Sequence, residues 1–311
     1  MLRQALASLT FLAAARPVAA EAPRVITDIA PVHSLVSMVM GDLGSPDLLV
    51  TAGASAHSHD LRPSRAAALQ EADAVFWIGE ELMPWMEGPI NNLASDAMVV
   101  ELLHTDGTKE LEFRETVLFG DIDDDHGNEH GHGHNHGHDH GDEDLDPHAW
   151  LDPENAITWI GIIADTMTTA DPENAEIYLK NAANTVQKIT EISNVAHEKL
   201  AGKEPRYVVF HDAYQYFEAR FSVGALAAIS LSDASAPGPA RLAEIRENVL
   251  AVDVKCALSE PTAKPGLLDL VFEGLDVKVY QVDPLGSAFE PGPALYGQLI
   301  QSMTDALANC S

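Results

Sequence analysis

The chain has 311 residues, 46% of them hydrophobic, which is enough length for two domains of ordinary size and enough apolar material for real cores. Its formal net charge of −30 argues against nucleic acid and against anionic membrane surfaces as partners, and is compatible with attracting cations. Residues 1–20, MLRQALASLTFLAAARPVAA, read as a secretory signal. Arg3 supplies the positive start, Leu6 to Ala15 a short apolar run, and Val18-Ala19-Ala20 a small-residue cleavage site. The apolar run is too short for a membrane anchor. No cysteine follows the cleavage site, so no lipid anchor is expected, and the mature protein should be soluble and exported. In that compartment the two cysteines, Cys256 and Cys310, read as a disulfide that pins the C-terminal helix to the second domain; two buried free thiols are the alternative.

The mature chain then alternates short apolar strands with helices. Arg24 to Thr27 reads as a strand, Pro31 to Met40 as a helix, Asp47 to Val50 as strand-like, Pro63 to Ala72 as a helix and Ala74 to Ile78 as a strand. This alternation implies a parallel sheet covered on both faces. Two copies of the word Asp-Pro-Glu-Asn-Ala, at 152–156 and 171–175, each offer an Asp N-cap, Pro at the first helical position and Glu in the first turn. This repeat is local capping chemistry, with no domain repeat behind it. The second helix should run from Pro172 to about Ala201, stopped by Gly202 and Pro205. A helix of that length between two α/β patterns is a candidate rigid connector. Beyond it, Tyr207 to Phe210, Lys255 to Ser259 and Val277 to Val282 read as strands, with helices to about Arg220, over Leu242 to Leu250 and over Pro293 to Ala308. The boundaries that follow are 1–20 for the signal, 21–170 for an N-terminal α/β lobe, 171–202 for the connecting helix and 203–311 for a C-terminal α/β lobe.

One stretch breaks the pattern. Residues 121–144 read DIDDDHGNEHGHGHNHGHDHGDED, with His126, His130, His132, His134, His136, His138 and His140 set among carboxylates and glycines. Such a segment cannot bury enough surface to offset its ordering entropy and is expected to be a disordered loop. Neutral imidazole is the commonest protein ligand for zinc and other late divalent metals, so the loop reads as a metal collector rather than a selective site. A selective site needs preorganised ligands. His57 lies past the strand ending near Val50, His211 directly follows the strand YVVF, His148 lies in DPHAWLDP, and Asp283 follows VYQV. Ligands in open α/β sheets bind outside the carboxyl ends of strands, so His57, His211 and Asp283 are expected at one crevice edge. Three imidazoles and one carboxylate make a tetrahedral zinc site. Singly, each residue is weak; the set of four beside a His-rich loop is what points to metal. His59 reads as a neighbour of the site or an auxiliary ligand. His33, His104 and His197 read as ordinary, and Trp77, Trp85, Trp150 and Trp159 as core or interlobe packing.

These words also carry a resemblance. GASAHSHDLRPS at 53–64, DPHAWLDP at 146–153, VFHDAYQYF at 209–217, CALSEP at 256–261 and VDPLG at 282–286 make the chain similar to the metal-binding solute-binding proteins of ABC importers, and most closely to their zinc-specific ZnuA type. The resemblance spans essentially the whole mature chain, with the motifs in the family's order. It implies two Rossmann-like α/β lobes joined by one long rigid helix, with the metal between the lobes. It implies His57, His148 and His211 as ligands, Asp283 at the carboxylate position, and a Cys256–Cys310 disulfide. Histidine at position 211 matches the zinc pattern, where an acidic residue would suggest a manganese or iron binder.

The expected function is capture of Zn2+ in the periplasm and delivery to an ABC-type permease with its cytoplasmic ATPase, by a monomer and without catalysis. Protons compete for the imidazole nitrogens, so affinity should fall below the ordinary histidine pKa of roughly 6.5. A single helical connector implies small lobe motion on release. The rival readings are a periplasmic buffer or adhesin on the same fold, a manganese or iron relative, and a zinc hydrolase. Against the hydrolase, no His-Glu-x-x-His word supplies a general base; Glu260 and Asp212 are candidates only by proximity in sequence.

Overall fold

The structure is a computed structural model that describes residues 22–51, 53–57, 61–114, 116, 119, 145–230, 238–251, 253–261, 263 and 266–310. The signal-like residues 1–20, His59 and the segment 121–144 with its seven histidines lie outside the described residues.

Two four-stranded parallel sheets organise the described residues. The first is built from β1 (Val25–Thr27), β2 (Asp47–Leu48), β3 (Ala74–Trp77) and β4 (Met98–Glu101), in the order β2-β1-β3-β4. Helices α1 (Ala30–Met40), α2 (Pro63–Gln70) and α3 (Glu87–Leu93) connect these strands. The second sheet holds β5 (Tyr207–His211), β6 (Ala227–Ser230), β7 (Cys256–Ser259) and β8 (Lys278–Gln281), in the order β6-β5-β7-β8. Its helices are α6 (Gln215–Phe221), α7 (Pro239–Ala251), α8 (Leu267–Val271) and α9 (Leu295–Ala308). The two sheets therefore repeat one strand order, a structural repeat with no counterpart in the sequence pattern. In each, the first strand has neighbours on both sides, which opens a crevice at its carboxyl end.

Between the sheets run α4 (Pro153–Ala170) and α5 (Ala175–Leu200). The 26 residues of α5 make a rod of about 39 Å. Its buried residues Tyr178, Ala182, Thr185, Ile189, Ala196 and Leu200 fall at steps of three, four and seven residues and form one stripe. That stripe packs along α4, α9 and α1, so the helix touches both lobes.

The two Asp-Pro-Glu-Asn-Ala words behave differently. Asp152 caps α4, its carboxylate accepting from Glu154 N at 3.0 Å. Asp171 makes no such cap: its Oδ2 accepts from the Asn174 side chain at 2.7 Å and from the Tyr178 hydroxyl at 2.9 Å. With those partners in place Pro172–Asn174 forms a 3-10 turn, and the long helix begins at Ala175. Strands β4 and β6 and helices α3 and α8 have sequences too short or too poor in apolar periodicity to stand out.

The main core is continuous across both lobes. It joins Val25, Val75 and Phe76 of the first sheet to Tyr178 and Ile189 of α5 and to Tyr207, Val209 and Leu258 of the second. The alternate residues Val208, Ala227, Ile229 and Ala257 face the other way, into a smaller cluster under α7 and α8. Cys256 and Cys310 are joined in a disulfide that ties β7 to the chain two residues past the end of α9. Among the described residues, no helix is long and apolar enough to cross a membrane.

Candidate metal centre

The carboxyl ends of both sheets face one narrow cleft. It is lined by Ala56, His57, Leu82, His148, Trp150, His211, Glu260, Asp283, Pro284 and Leu285. His57 reaches it from the loop after β2, His211 as the last residue of β5, and Asp283 from the turn after β8. His148 comes from the segment that leads into α4, where Ala149–Leu151 form one 3-10 turn. Candidate ligand atoms of His57, His148 and His211 all lie within 4.8 Å of one another. The rings of His57 and His148 sit with centroids 5.6 Å apart, and those of His148 and His211 5.3 Å apart. The structure thus brings together three residues scattered over 154 positions, a span read directly from 57 to 211.

Each of the two buried histidines is held by a buried carboxylate. His148 Nδ1 lies 2.7 Å from Asp146 Oδ1, which also accepts the His148 backbone N–H at 3.0 Å. His211 Nδ1 lies 2.7 and 2.8 Å from the two Glu260 oxygens. These partners assign the proton to Nδ1 in both rings, so each turns the lone pair of Nε2 into the cleft. The two Nε2 atoms are 3.3 Å apart. Two facing lone pairs at that distance repel unless a cation lies between them. A tetrahedral zinc with Zn–N of about 2.0–2.1 Å sets its ligand nitrogens about 3.3–3.4 Å apart, so the pair already has the edge length of such a site. Both side chains are 4% exposed, which makes neutral imidazole the economical donor here, since a buried charged ligand would need its own compensation.

Asp283 borders the same cleft, but its oxygens lie outside the group in which the three imidazoles converge. Oδ1 accepts from Leu285 N at 2.9 Å and Oδ2 from Ser287 N at 2.8 Å, so the carboxylate shapes the turn that carries it. Asp146 and Glu260 had weaker signals in the sequence. Asp146 stands two residues before its histidine, and Glu260 directly follows β7, at the strand end where site residues gather.

The surrounding contacts fix the cleft between lobes. Trp150 donates from Nε1 to Pro284 O at 2.8 Å and its ring lies 5.2 Å from that of His148. Trp85 donates to Ala56 O at 2.9 Å, holding the backbone beside His57. Tyr216 accepts from Leu111 N and donates to Asp146 O, both at 2.9 Å. Arg114 pairs with Asp212, the residue after His211, and with Glu218 at 2.8 Å, while its guanidinium lies 3.5 Å over the Phe119 ring. Burial pushes the carboxyls of Asp212 and Glu218 up, and Arg114 opposes that shift. His33 is structural, set between Pro46 O and Ser37 Oγ, and His197 is exposed in the last turn of α5.

Comparison with known proteins agrees with this geometry. Residues 25–310 match the family model described as zinc-uptake complex component A, periplasmic, ZnuA. The chain is 40% identical over 307 residues to the high-affinity zinc uptake system protein ZnuA of Paracoccus denitrificans, covering 96% of this chain and 94% of that one. It is 39% identical over 311 residues to the protein of the same name from Brucella abortus, covering 94% and 92%. Among solved structures, a crystal structure of ZnuA superposes with a TM-score of 0.75 at 18% identity, over 93% of this chain and 99% of that one. The AdcAII protein of Streptococcus pneumoniae does so with a TM-score of 0.73 at 23% identity, over 94% and 100%. Those two likenesses concern the fold: two parallel-sheet lobes and the long helix between them. The chain belongs to the ZnuA family, the periplasmic component A of zinc-uptake complexes.

Proposed function

We propose that this protein captures Zn2+ in the periplasm and hands it to the permease of an ABC-type importer driven by a cytoplasmic ATPase. His57, His148 and His211 bind the ion, and Asp283 closes the fourth side of the cleft. A carboxylate offers about four lone-pair directions, so Asp283 can hold the Leu285 and Ser287 amides and still face the ion. One observation carries this reading: the 3.3 Å approach of two imidazole Nε2 atoms whose opposite nitrogens are both locked by buried carboxylates. The named relatives, high-affinity zinc uptake proteins along nearly the whole chain, support zinc as the cargo.

The same geometry argues against catalysis. Hydrolysis at zinc needs a general base beside the activated water. Glu260 is occupied by His211 Nδ1 and the Tyr214 hydroxyl, and Asp212 by Arg114. Both sequence candidates for a base are thus positioning groups. Export by the signal-like residues 1–20, and life as a soluble monomer without a lipid anchor, complete the proposal.

The testing experiment is a zinc titration of the mature protein at neutral pH in competition with a strong chelator. One tight site that disappears with His57→Ala or His211→Ala is expected. Weak, multiple binding alone would overturn the proposal in favour of a buffer.

A further inference from the structure

A second group of ligating side chains lies on the first lobe, away from the three cleft histidines. After β3 the chain turns through Ile78 and Gly79 to Glu80 and Glu81; β4 ends in Glu101, and His104 follows three residues on. Three side chains from these two strand ends converge: candidate ligand atoms of Glu81, Glu101 and His104 all lie within 4.8 Å of one another. Glu81 Oε1 lies 2.7 Å from His104 Nε2. On the far side of that ring, His104 Nδ1 is 3.8 Å from Glu110 Oε1. This repeats, more loosely, the carboxylate–imidazole arrangement behind His148 and His211.

The Glu81 side chain is only 1% exposed, against 30% for His104. Its second oxygen, Oε2, is buried and makes no hydrogen bond. A carboxyl oxygen shut away from water and left without a donor is unusual in a folded protein. Gly79 shows where it points. A Cβ at Gly79, whose φ is +154°, would lie 2.5 Å from Glu81 Oε2 and 3.1 Å from Glu101 Oε1. The missing side chain thus leaves room for two carboxylate oxygens to approach, one from the turn after β3 and one from the end of β4. Glu101 also accepts the Glu80 amide at 3.3 Å, which fixes the carboxylate relative to the turn. His104 lies beside Glu81 and Glu110, and Glu80, Glu81 and His104 all act electrostatically on Glu101.

We propose that Glu81, Glu101 and His104 form a second binding site for a divalent transition-metal ion such as Zn2+. The donor set of one imidazole and two carboxylates suits zinc or manganese, and the exposed edge at His104 leaves room for water to complete the coordination. On binding, the ion takes the place of the proton between His104 Nε2 and Glu81 Oε1, and Glu81 Oε2 gains the partner it lacks. The turn 79–82 joins this site to the main one, since Leu82 lines the histidine cleft.

The test uses the full mature chain with zinc alone. Anomalous difference maps of zinc-loaded crystals, recorded above and below the zinc absorption edge, are expected to show a peak between Glu81, Glu101 and His104 besides the peak in the histidine cleft. In solution, equilibrium dialysis with radiolabelled zinc should show one equivalent fewer bound when Glu81→Gln and His104→Gln are combined, with the tight-site affinity from chelator competition unchanged. A filled cleft with no peak at the cluster overturns the proposal. So does a crystal peak with no difference in solution stoichiometry, which would mean binding at crystal concentration only. Should the double substitution lose its fold, seen as a lost thermal transition, the wild-type map and the single Glu101→Gln variant decide the matter.

Discussion

Glu260→Gln isolates the charge behind a metal ligand from its hydrogen bond. Glu260 is buried, 4% exposed, and grips His211 Nδ1 at 2.7–2.8 Å. Glutamine has the same shape and keeps a carbonyl to accept from Nδ1–H, so the ring orientation is preserved while one negative charge is lost. The ion on Nε2 would stand about 6.5 Å from the carboxylate, the sum of the hydrogen bond, the ring and a Zn–N bond of about 2.0 Å. At an effective dielectric constant near 20, a unit charge and a divalent ion at that distance attract by about 5 kcal/mol. A proton competing for Nε2 gains about half of that from the same carboxylate, which trims the net effect. The expectation is therefore a loss of about 10–100-fold in zinc affinity, or about 1.4–2.7 kcal/mol, the range seen for outer-sphere partners of metal-bound histidines. Chelator competition at neutral pH reads it, with His57→Ala as the control that abolishes tight binding. Glu260→Ala, which removes both charge and hydrogen bond, should lose at least as much. Wild-type affinity in both variants would refute the idea that buried carboxylates preorganise this site.

Arg114→Met leaves Asp212 and Glu218 buried without their cation, at 3% and 4% side-chain exposure, and should cost about 3–5 kcal/mol in urea unfolding. A loss of only about 1 kcal/mol, typical of a surface pair, would contradict that account. The disulfide closes a loop with a sequence separation of 54, so replacing Cys256 and Cys310 by Ala should remove about 4 kcal/mol of stability on loop entropy. The cleft lies away from that bridge, so equal zinc affinity before and after is expected; a large drop would count against the site as drawn. Burial pushes the Asp28 carboxyl up to about 7 from 3.8 against the backbone N–H groups of Ile78 and Ile29. The folded state then holds this proton more tightly than the unfolded state, so Asp28's contribution to stability falls as pH rises from 3.8 towards about 7 and levels off above. Asp28→Asn should flatten that part of the pH–stability curve, and an unchanged slope in chemical denaturation would show the shift is absent. Removing residues 121–144 should lower total zinc bound while leaving the tight site unchanged, read by dialysis and by competition respectively; collapse of the tight site would make the His-rich segment part of it.

The sequence by itself carried the alternation of strands and helices, the long connector and the four candidate site residues. Those are local signals: apolar periodicity, an Asp-Pro cap at 152, and histidines just beyond strand ends. The disulfide pair was legible for a different reason, since two cysteines allow one pairing. Tertiary structure decided the rest. Asp171 and Asp152 open identical words, yet only Asp152 caps, because Tyr178 and the Asn174 side chain take the Asp171 carboxylate. Glu260 and Asp212 stand alike in the sequence as candidate bases; packing gives one to the imidazole and the other to Arg114. His104 reads as ordinary in the sequence, and only the fold brings Glu81 and Glu101 beside it. In each case the partner lies on another element or another turn, and the buried carboxylate takes whichever donor the fold brings within about 3 Å. Spacing along the chain gives candidates; which donor each acid meets is fixed by packing.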